Sequence, residues 1–432
     1  MKNLNIKYFV FVIIILIFAK HEVSLAQPAE VDTTRVRDTE KIKKSFGEIV
    51  ADIPGEIIKF PVRTLEFISY TIASNPPVSE ATRFFNMYQE VKDYIPIVGY
   101  NYNAGLKFGF GLRRHNNIIT GDLAKFKWYY SIFNYQSYKF QYNSLGAKSK
   151  LGVKLYFRYK KRPRESFYGV GMNTDEEKEA SYTLENTEYR IDLPIQPIHN
   201  ISIGMFGGFQ ITNLYDGKHD DGEGDLDILM SDPDFGLKTG RLDNSRYYTY
   251  GIIFNYDSRN SLGQPSRGSL IRAEYIRYDG TGLSTDLDFD KYSIDYHQYI
   301  NIWWKRLFAL RIFLQRFDAD FNDTPAAPIY LLSNIGGSET LRGFNPGRFI
   351  NNDLAFAAIE YRYPIFDMTD AFLFFEEGRV YEKMTDEAFF RGWKYSAGFG
   401  LRIWNSKNLI GLTQIAFSEE SFRFYFELGA HW

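Results

Sequence analysis

The last twelve residues, Ser421 to Trp432, read SFRFYFELGAHW and decide the fold class. Their side chains alternate between apolar and polar or small, which is the two-residue period of a β-strand with two different faces. A strand that separates lipid from a polar barrel interior has this pattern. A strand of a soluble sandwich also alternates, with its apolar side toward the core. The apolar positions are Phe422, Phe424, Phe426, Leu428, Ala430 and Trp432.

Three further features favour the membrane barrel. Aromatic residues make up 18% of the chain, and they are dense near strand ends, where membrane girdles lie. Similar alternating segments continue to the C-terminus, and their connections alternate between short and long. Counting backward from Trp432 gives an even number of strands, sixteen, so both ends of the barrel fall on the same side. We therefore predict an all-β membrane protein with a 16-stranded antiparallel transmembrane β-barrel over residues 97–432.

The connections follow from this count. With the N-terminus in the periplasm, five become inner turns, namely NYQS, DSRNSLGQPSRG, KR, FDMTD and NSKN. The acidic stretch Asp216 to Asp234 becomes an outer loop, and so does a stretch within 319–350. The sixteen predicted strands are 98–112, 122–134, 137–145, 150–160, 165–172, 181–193, 201–213, 245–258, 268–279, 289–303, 306–318, 351–363, 369–382, 392–404, 408–417 and 421–431.

The N-terminal region predicts export. Lys2 and Lys7 form a short positive region before an apolar run, Tyr8 to Ala19. Ser24 to Ala26 then supplies the small residues of a cleavage site. We assign residues 1–26 to a signal peptide cleaved after Ala26. The alternative is an uncleaved anchor, for which the apolar run is short. Residues 27–96 place apolar side chains at three- and four-residue spacing, which predicts a short helical or irregular periplasmic segment.

Composition argues against several classes of protein. A formal net charge of -2 gives no reason to expect nucleic acid as a partner. The chain has no Cys, so it has no disulfide, thiolate metal site or lipid-modified cysteine. The motifs G-x-S-x-G, Walker loop and H-E-x-x-H are missing, and we expect no enzyme and no cofactor. Carboxylates in the loop 216–234 do not match a Ca²⁺-loop spacing, so we favour a solvated outer loop over a Ca²⁺ site.

The stretch Ser333 to Phe349, SNIGGSETLRGFNPGRF, is unusual for an outer loop. Its glycines allow tight backbone paths and a close approach to the barrel wall. A guanidinium donates several hydrogen bonds in a fixed fork, and a carboxylate in the lumen is its natural partner. We predict a loop that folds inward and is anchored there, and the alternative is a mobile outer loop. The residues that we single out are Gly336, Gly337, Leu341, Arg342, Gly343 and Phe344.

Four stretches carry a resemblance to a known family. ETLRGF, Glu339 to Phe344, is similar to its loop motif, and FFEEGRV, Phe374 to Val380, is similar to its Phe-x-acid-x-Gly strand motif. Glu376 stands there at the position where Asp is usual. YDSRNSLGQPSRGSLIRAEY resembles an inner turn of the family, and FYFELGAHW resembles its aromatic-ended C-terminal signal. Residues 98–432 thus resemble the BamA/TamA (bacterial surface antigen) family of outer-membrane assembly and translocation barrels.

The resemblance implies a site with two parts. The loop arginine of the family reaches the acidic strand residue, so Arg342 is expected to pair with Glu376, while alternation turns Glu377 to the other face. The first and last strands are expected to form a seam that opens as a lateral gate, where client strands add to the sheet edge. The glycines of the predicted first strand weaken it and so help the seam to open. The alternative is that they only relieve crowding in a tilted barrel. The expected seam and C-terminal signal residues are Gly105, Gly109, Gly111, Phe424, Phe426, Gly429 and Trp432.

The resemblance also implies a function. Members usually carry periplasmic POTRA modules, but the 27–96 segment is short and has a helical pattern, so we predict a form without them. We expect a barrel that helps insert or export client proteins or lipids, without nucleotide, in the outer membrane of a Gram-negative bacterium. The expected partners are outer-membrane lipid, client outer-membrane or secreted proteins, and a periplasmic or lipoprotein partner. The alternative is a passive outer-membrane channel or structural scaffold that has lost assembly activity.

Overall fold

The computed structural model describes residues 94–428, with gaps at 102, 116–121, 145–150, 178, 218–244, 262–263, 283–287, 304–305, 320–327, 367–368, 386–388, 390 and 405–408. The predicted signal peptide 1–26, the segment 27–96 apart from its last residues, and nearly all of the acidic loop 216–234 lie outside the described residues. In the described part of the chain, no helix is long and apolar enough to cross a membrane.

The described residues form a closed antiparallel barrel of sixteen strands, which confirms the predicted architecture. Each barrel strand pairs with its neighbours in sequence, β11 pairs with β14, and β1 closes the barrel against β18. Two short strands, β12 and β13, form a separate hairpin. The strands are β1 Tyr94–Asn101, β2 Gly105–His115, β3 Leu123–Ser131, β4 Gln136–Asn143, β5 Lys154–Phe167, β6 Ala180–Ile198, β7 Ile201–Asp216, β8 Ser245–Asp257, β9 Gly268–Thr281, β10 Phe289–Trp303, β11 Arg306–Ala319, β12 Ser333–Ile335, β13 Phe349–Asn351, β14 Asp353–Phe366, β15 Thr369–Tyr381, β16 Lys394–Trp404, β17 Leu409–Phe417 and β18 Phe422–Leu428.

The two-residue period separates a polar lumen from an apolar outer wall, as strand β6 illustrates. Tyr189 and Ile191 are about half exposed, at 50% and 52%. Between them Arg190 faces inward, and it donates to Asp192 at 2.6 Å and to Glu274 on β9 at 2.9 Å. A continuous band of exposed apolar side chains around a polar interior is the pattern of a lipid-facing barrel.

Two predicted boundaries are wrong in the first third of the barrel. The predicted strand 98–112 is two strands, β1 and β2, because a tight turn separates them and ends at Gly105 with φ of 67°. The predicted strands 150–160 and 165–172 are a single strand, β5, which continues through an irregularity in its pairing between Arg162 and Glu165. Compared with the prediction, the structure has one more strand at the first position and one fewer at the second, so the total of sixteen is unchanged.

Among the five predicted inner turns, these errors put one on the wrong side. We call the end of the barrel where β11 leads to β14 the loop rim. The connection between β3 and β4, which contains part of NYQS, lies at the loop rim instead of the inner side. Its Tyr135 hydroxyl donates to the backbone oxygen of Arg164, 2.8 Å away, near the loop-rim end of β5. The other four predicted inner turns join strands at the opposite rim.

The connection from β11 to β14 folds into the barrel, and we call its described residues, 328–352, the inserted loop. The hairpin of β12 and β13 forms its base, with Ile335 opposite Phe349. Buried apolar side chains then join the loop to the lumen side of β14 and β15. This core sits inside the barrel, so the loop is part of the folded unit. Its members are Ile335, Leu341, Phe344, Phe349, Leu354, Phe356 and Val380.

Candidate functional site

Arg342 fixes the inserted loop to the barrel wall through its whole guanidinium group. Its Nε donates to Oε1 of Glu376 at 2.7 Å, and its backbone N donates to Oε2 of the same carboxylate at 2.8 Å. Its Nη1 donates to Gln414 at 2.9 Å and its Nη2 to Glu360 at 3.2 Å. The guanidinium carbon lies 3.5 Å from the ring centre of Phe374. One loop residue thereby bridges strands β14, β15 and β17.

The charges around Arg342 form a largely buried network in which each carboxylate accepts hydrogen bonds from an arginine. Arg342 is 6% exposed and Glu376 is 2% exposed. Glu360 also accepts from Arg402 at 2.8 Å and 3.1 Å and from Arg362 at 3.0 Å. Ser396 completes the network by donating to Glu376 at 3.0 Å. Burying an ion pair costs hydration free energy, which is offset only when the remaining hydrogen-bonding positions are filled; here they are filled from several strands.

The backbone around Arg342 is shaped to aim it at the wall. Leu341, which is fully buried, has a φ of 46°, a left-handed conformation that is unusual for a residue other than glycine. Gly343 lies against the connection between β17 and β18, where an added Cβ would come within 2.7 Å of Ser418. The carbonyl of Gly343 accepts hydrogen bonds from Ser418 at 3.0 Å and Ser421 at 2.9 Å. Glycine is therefore required at position 343 by the close approach of the wall.

The paired glycines at the start of the motif shape the loop itself. Gly336 has a φ of 118° and Gly337 has a φ of 95°, both in the region that favours glycine. An added Cβ on Gly336 would lie 2.1 Å from the backbone oxygen of Asn345. The backbone N of Gly337 donates to the oxygen of Phe344 at 3.1 Å. The two ends of the motif are thereby held together as one compact turn.

A second arginine of the same loop, Arg348, forms an anchor that the sequence analysis did not assign. It is 3% exposed, and its Nε donates to Glu420 at 2.8 Å. Its other nitrogens donate to the hydroxyl and the backbone oxygen of Thr174 at 2.5 Å and 2.7 Å. Burial raises the pKa of the Glu420 carboxyl, although the hydrogen bond from Arg348 opposes that shift. The available sequence signal was a second arginine in the same glycine-rich loop.

The other half of the candidate site is the seam, where β1 meets β18. In the described residues the seam pairs at three positions, Val98 with Leu428, Gly99 with Glu427 and Tyr100 with Phe426. The whole described strand β18 pairs with β17 at seven positions, and β1 pairs with β2 at eight. At the loop rim β18 reaches past the described end of β1, since its residues 422–425 pair with β17 and have no partner on β1 among the described residues.

An ion pair crosses the seam on the lumen side. The Nζ of Lys107 on β2 lies 2.7 Å from Oε1 of Glu427 on β18, although β1 runs between the two strands. Gly99 is the residue of β1 that stands between them in register. A Cβ at this position would lie 2.4 Å from Cε of Lys107. We call Lys107, Gly99 and Glu427 the seam clip, since glycine leaves room for a lysine that bridges over the first strand.

The glycines assigned to the first strand lie elsewhere. Gly105, Gly109 and Gly111 belong to β2, one strand away from the seam, and Gly105 ends the turn from β1. The correction follows from the split of the predicted strand 98–112. Of the C-terminal residues, Phe424 pairs with Ile415 on β17, and Phe426 lies in the seam. Gly429 and Trp432 lie outside the described residues.

A cavity of about 390 Å³ joins the two halves of the site. On one side it is lined by Arg342, Glu360 and Glu376 of the loop anchor. On the other it is lined by Lys107 and Glu427 of the seam clip. The hydroxyl of Tyr425 on β18 donates to the backbone oxygen of Arg342 at 2.8 Å, so the last strand also touches the loop directly. The loop and the seam therefore share one polar space in the lumen.

A closed barrel with an apolar outer wall and a loop anchored in its lumen defines an outer-membrane type of β-barrel. Residues 94–432 match the family model of the Omp85 superfamily domain, and the chain belongs to that superfamily. The resemblance drawn from the four sequence stretches is thus confirmed. Barrels of this superfamily are Gram-negative outer-membrane proteins of protein assembly and translocation.

Solved structures show the same fold at low sequence identity. BamA from Haemophilus ducreyi lacking POTRA domains 1–3 is 14% identical, with a TM-score of 0.55, over 78% of this chain and 69% of that one. CdiB from Escherichia coli is 11% identical, with a TM-score of 0.51, over 78% of this chain and 63% of that one. No curated protein sequence matches the chain.

Proposed function

We propose that this barrel helps to insert or export client proteins at the outer membrane, by non-covalent strand pairing and without nucleotide. The observation that carries the proposal is the uneven end of the seam, where residues 422–425 of β18 pair with β17 but have no partner on β1 among the described residues. Each ladder pair contributes hydrogen bonds, so opening the seam costs less from the end where these pairs are missing. An opened seam exposes strand edges to which a client strand can add.

The anchored loop supports the same proposal. Two buried arginines, Arg342 and Arg348, hold it inside the barrel. A loop fixed in this way fills lumen space that a general diffusion channel would need open. Through Tyr425 and the shared cavity the loop also contacts the strand that must move when the seam opens. The expected partners are outer-membrane lipid, client outer-membrane or secreted proteins, and a periplasmic or lipoprotein partner.

The test is to lock the seam covalently. Tyr100 and Phe426 are register partners across it, and the chain has no native Cys, so the pair Tyr100→Cys and Phe426→Cys can be oxidised selectively. The measurement is insertion of a denatured small outer-membrane barrel protein into liposomes that contain the purified chain. We expect oxidation to abolish insertion and reduction to restore it. The matched control pair, Met205→Cys and Ile252→Cys, joins β7 to β8 away from the seam and should leave insertion unchanged.

Insertion that persists after complete cross-linking of the seam would contradict the gate. In that case the barrel would assist insertion without opening its seam. If even the unlocked barrel accelerates insertion no more than empty liposomes do, the assembly function itself is wrong, and a passive channel or structural scaffold becomes the better account.

A further inference from the structure

A second cavity, of about 300 Å³, lies in the lumen away from the loop anchor and is lined by cations. Arg158, Lys160 and Arg162 face it from alternate positions of β5, and Lys291 faces it from β10. Among the described residues that line it, none is a carboxylate. Its volume falls within the range of small-molecule pockets, roughly 300–1,000 Å³. We call this space the basic cavity.

The two arginines of the basic cavity are already paired, but only in part. The Nη2 of Arg158 lies 2.7 Å from Glu188, and the Nη1 of Arg162 lies 3.0 Å from Glu165. In both residues the Nε is buried and has no hydrogen-bond partner among the described residues. A buried donor without an acceptor is costly, so the hydrogen bonds of these two guanidinium groups are only partly satisfied.

The two lysines are not compensated by the strands beside them. Lys160 stands between Ser137 on β4 and Asn186 on β6 in the register, and both are neutral. Lys291 stands between an isoleucine on β9 and a phenylalanine on β11, and neither carries charge. Within the described part of the chain neither lysine has a charged register neighbour, so both ammonium groups are available to a bound anion.

An apolar cluster covers the basic cavity on one side. Leu184, Tyr278 and Leu331 line the cavity and also belong to the buried cluster at the loop rim. Leu331 belongs to the inserted loop, so the same loop that Arg342 anchors forms part of this cover. Charges in a space with restricted water attract a counter-ion more strongly than charges on an open surface do.

We propose that the basic cavity binds a phosphoryl group, either a free phosphate ion or a phosphate carried on a larger molecule. A phosphoryl group has between one and two negative charges at neutral pH and several acceptor oxygens, which match the two lysines and the neighbouring guanidinium groups. A single carboxylate would leave one of the lysines without a counter-charge. The proposal is independent of the assembly function, since it concerns strands β5 and β10 and not the seam.

The test is equilibrium dialysis of the purified barrel in detergent against radiolabelled inorganic phosphate, with chloride at the same ionic strength as background. We expect saturable binding that weakens about tenfold or more in the double variant Lys160→Gln and Lys291→Gln, because two charge-assisted hydrogen bonds are lost. Lys161→Gln is the matched control, since Lys161 points to the opposite face and pairs with Glu185 at 3.0 Å. It should bind phosphate as the wild type does.

Two further arms identify the source of the phosphate and keep the test decisive. The first arm replaces free phosphate with micelles of diphosphoryl lipid A. If the micelles bind and their binding depends on both lysines, while free phosphate binds weakly, the site is assigned to a lipid head group. Equal binding by the wild type and the double variant, or no binding of either probe, overturns the proposal. Binding of a polyglutamate peptide alone also overturns it. Heat-modifiable migration on gels reports whether each variant is folded, and the single variants replace the double one if it is not.

Discussion

At the scale of single residues, the loop depends on one guanidinium whose hydrogen bonds all end inside the barrel. Replacing Arg342 by Ala leaves Glu376 buried without its cationic partner, and breaking a buried pair costs about 3–5 kcal/mol. We expect Arg342→Ala to release the loop and raise protease cleavage within 333–349. Arg342→Lys should restore only part of the protection, since lysine cannot donate to Glu376, Gln414 and Glu360 as a planar fork.

Two adjacent carboxylates provide the control for this prediction. Glu376 faces the lumen and is buried, whereas its neighbour Glu377 is exposed on the other face. Glu376→Gln should increase cleavage of the loop, and Glu377→Gln should not. Combined with Arg342→Ala, Glu376→Gln should add little further, because each substitution breaks the same contact. Equal cleavage in the two glutamine variants would show that the contact does not hold the loop.

The residue-scale site was only partly accessible from sequence. Alternation along FFEEGRV separates Glu376 from Glu377, so the orientation of the strand residue could be predicted. The partners of Arg348 could not, because Thr174 and Glu420 are 174 and 72 positions away in sequence. The same holds for Glu360 and Gln414, whose strand pattern shows that they face the lumen but not which loop residue they meet. The face to which a strand side chain points follows from its neighbours in sequence. The loop residue that it contacts depends on how the loop folds into the closed barrel.

At the scale of elements, the seam clip is expected to hold β1 against β18. The Lys107 and Glu427 side chains are 15% and 30% exposed, so their ion pair is only partly screened by water. Its loss should cost about 1 kcal/mol, which raises the open fraction of the seam roughly fivefold. We expect Lys107→Gln and Glu427→Gln to speed amide hydrogen exchange in residues 94–101, measured by mass spectrometry.

Two variants test the geometry of the clip. Exchanging the charges, with Lys107→Glu and Glu427→Lys together, should restore slow exchange. Gly99→Ala should speed exchange while both charges remain, because the new Cβ meets the Lys107 side chain. Lys161→Gln breaks a comparable pair on the wall between β5 and β6, far from the seam, and should leave residues 94–101 unaffected. If amide exchange in residues 94–101 is as slow in Lys107→Gln as in Lys161→Gln, the seam clip does not hold β1 against β18.

The strands themselves were largely predictable, since lipid on one side and water on the other impose the two-residue period. That period cannot reveal a tight turn between two strands of the same texture, which is why β1 and β2 were merged. Nor can it show that a strand continues past Pro163, which is why β5 was divided. The total of sixteen was right because these two errors cancel. The alternating pattern therefore predicts the barrel architecture well. It predicts the bounds of the first strands, which form the seam, less well.

At the scale of the whole molecule, the inserted loop and the closed wall together decide whether the barrel can act as a channel. The wall has the number of strands found in porins, which leave an aqueous channel. Here the loop occupies lumen space and is fixed by two anchors, Arg342 within the ETLRGF motif and Arg348 after it. If the barrel acts in assembly, the loop is expected to block ion flow through the lumen. If the barrel is a passive channel, ion flow is expected to depend little on the loop.

Conductance in planar lipid bilayers measures that difference. We expect the wild-type barrel to conduct weakly, Arg342→Ala to conduct more and in a fluctuating manner, and replacement of Ser338–Pro346 by two glycines to conduct most. The order follows from the structure, since the first change releases one anchor and the second removes the segment that carries Arg342. Heat-modifiable migration must be the same in all three, so that a difference reflects the lumen and not the fold. High and steady conductance in the wild type, unchanged by the loop replacement, would favour the channel, because the loop would then not control the lumen.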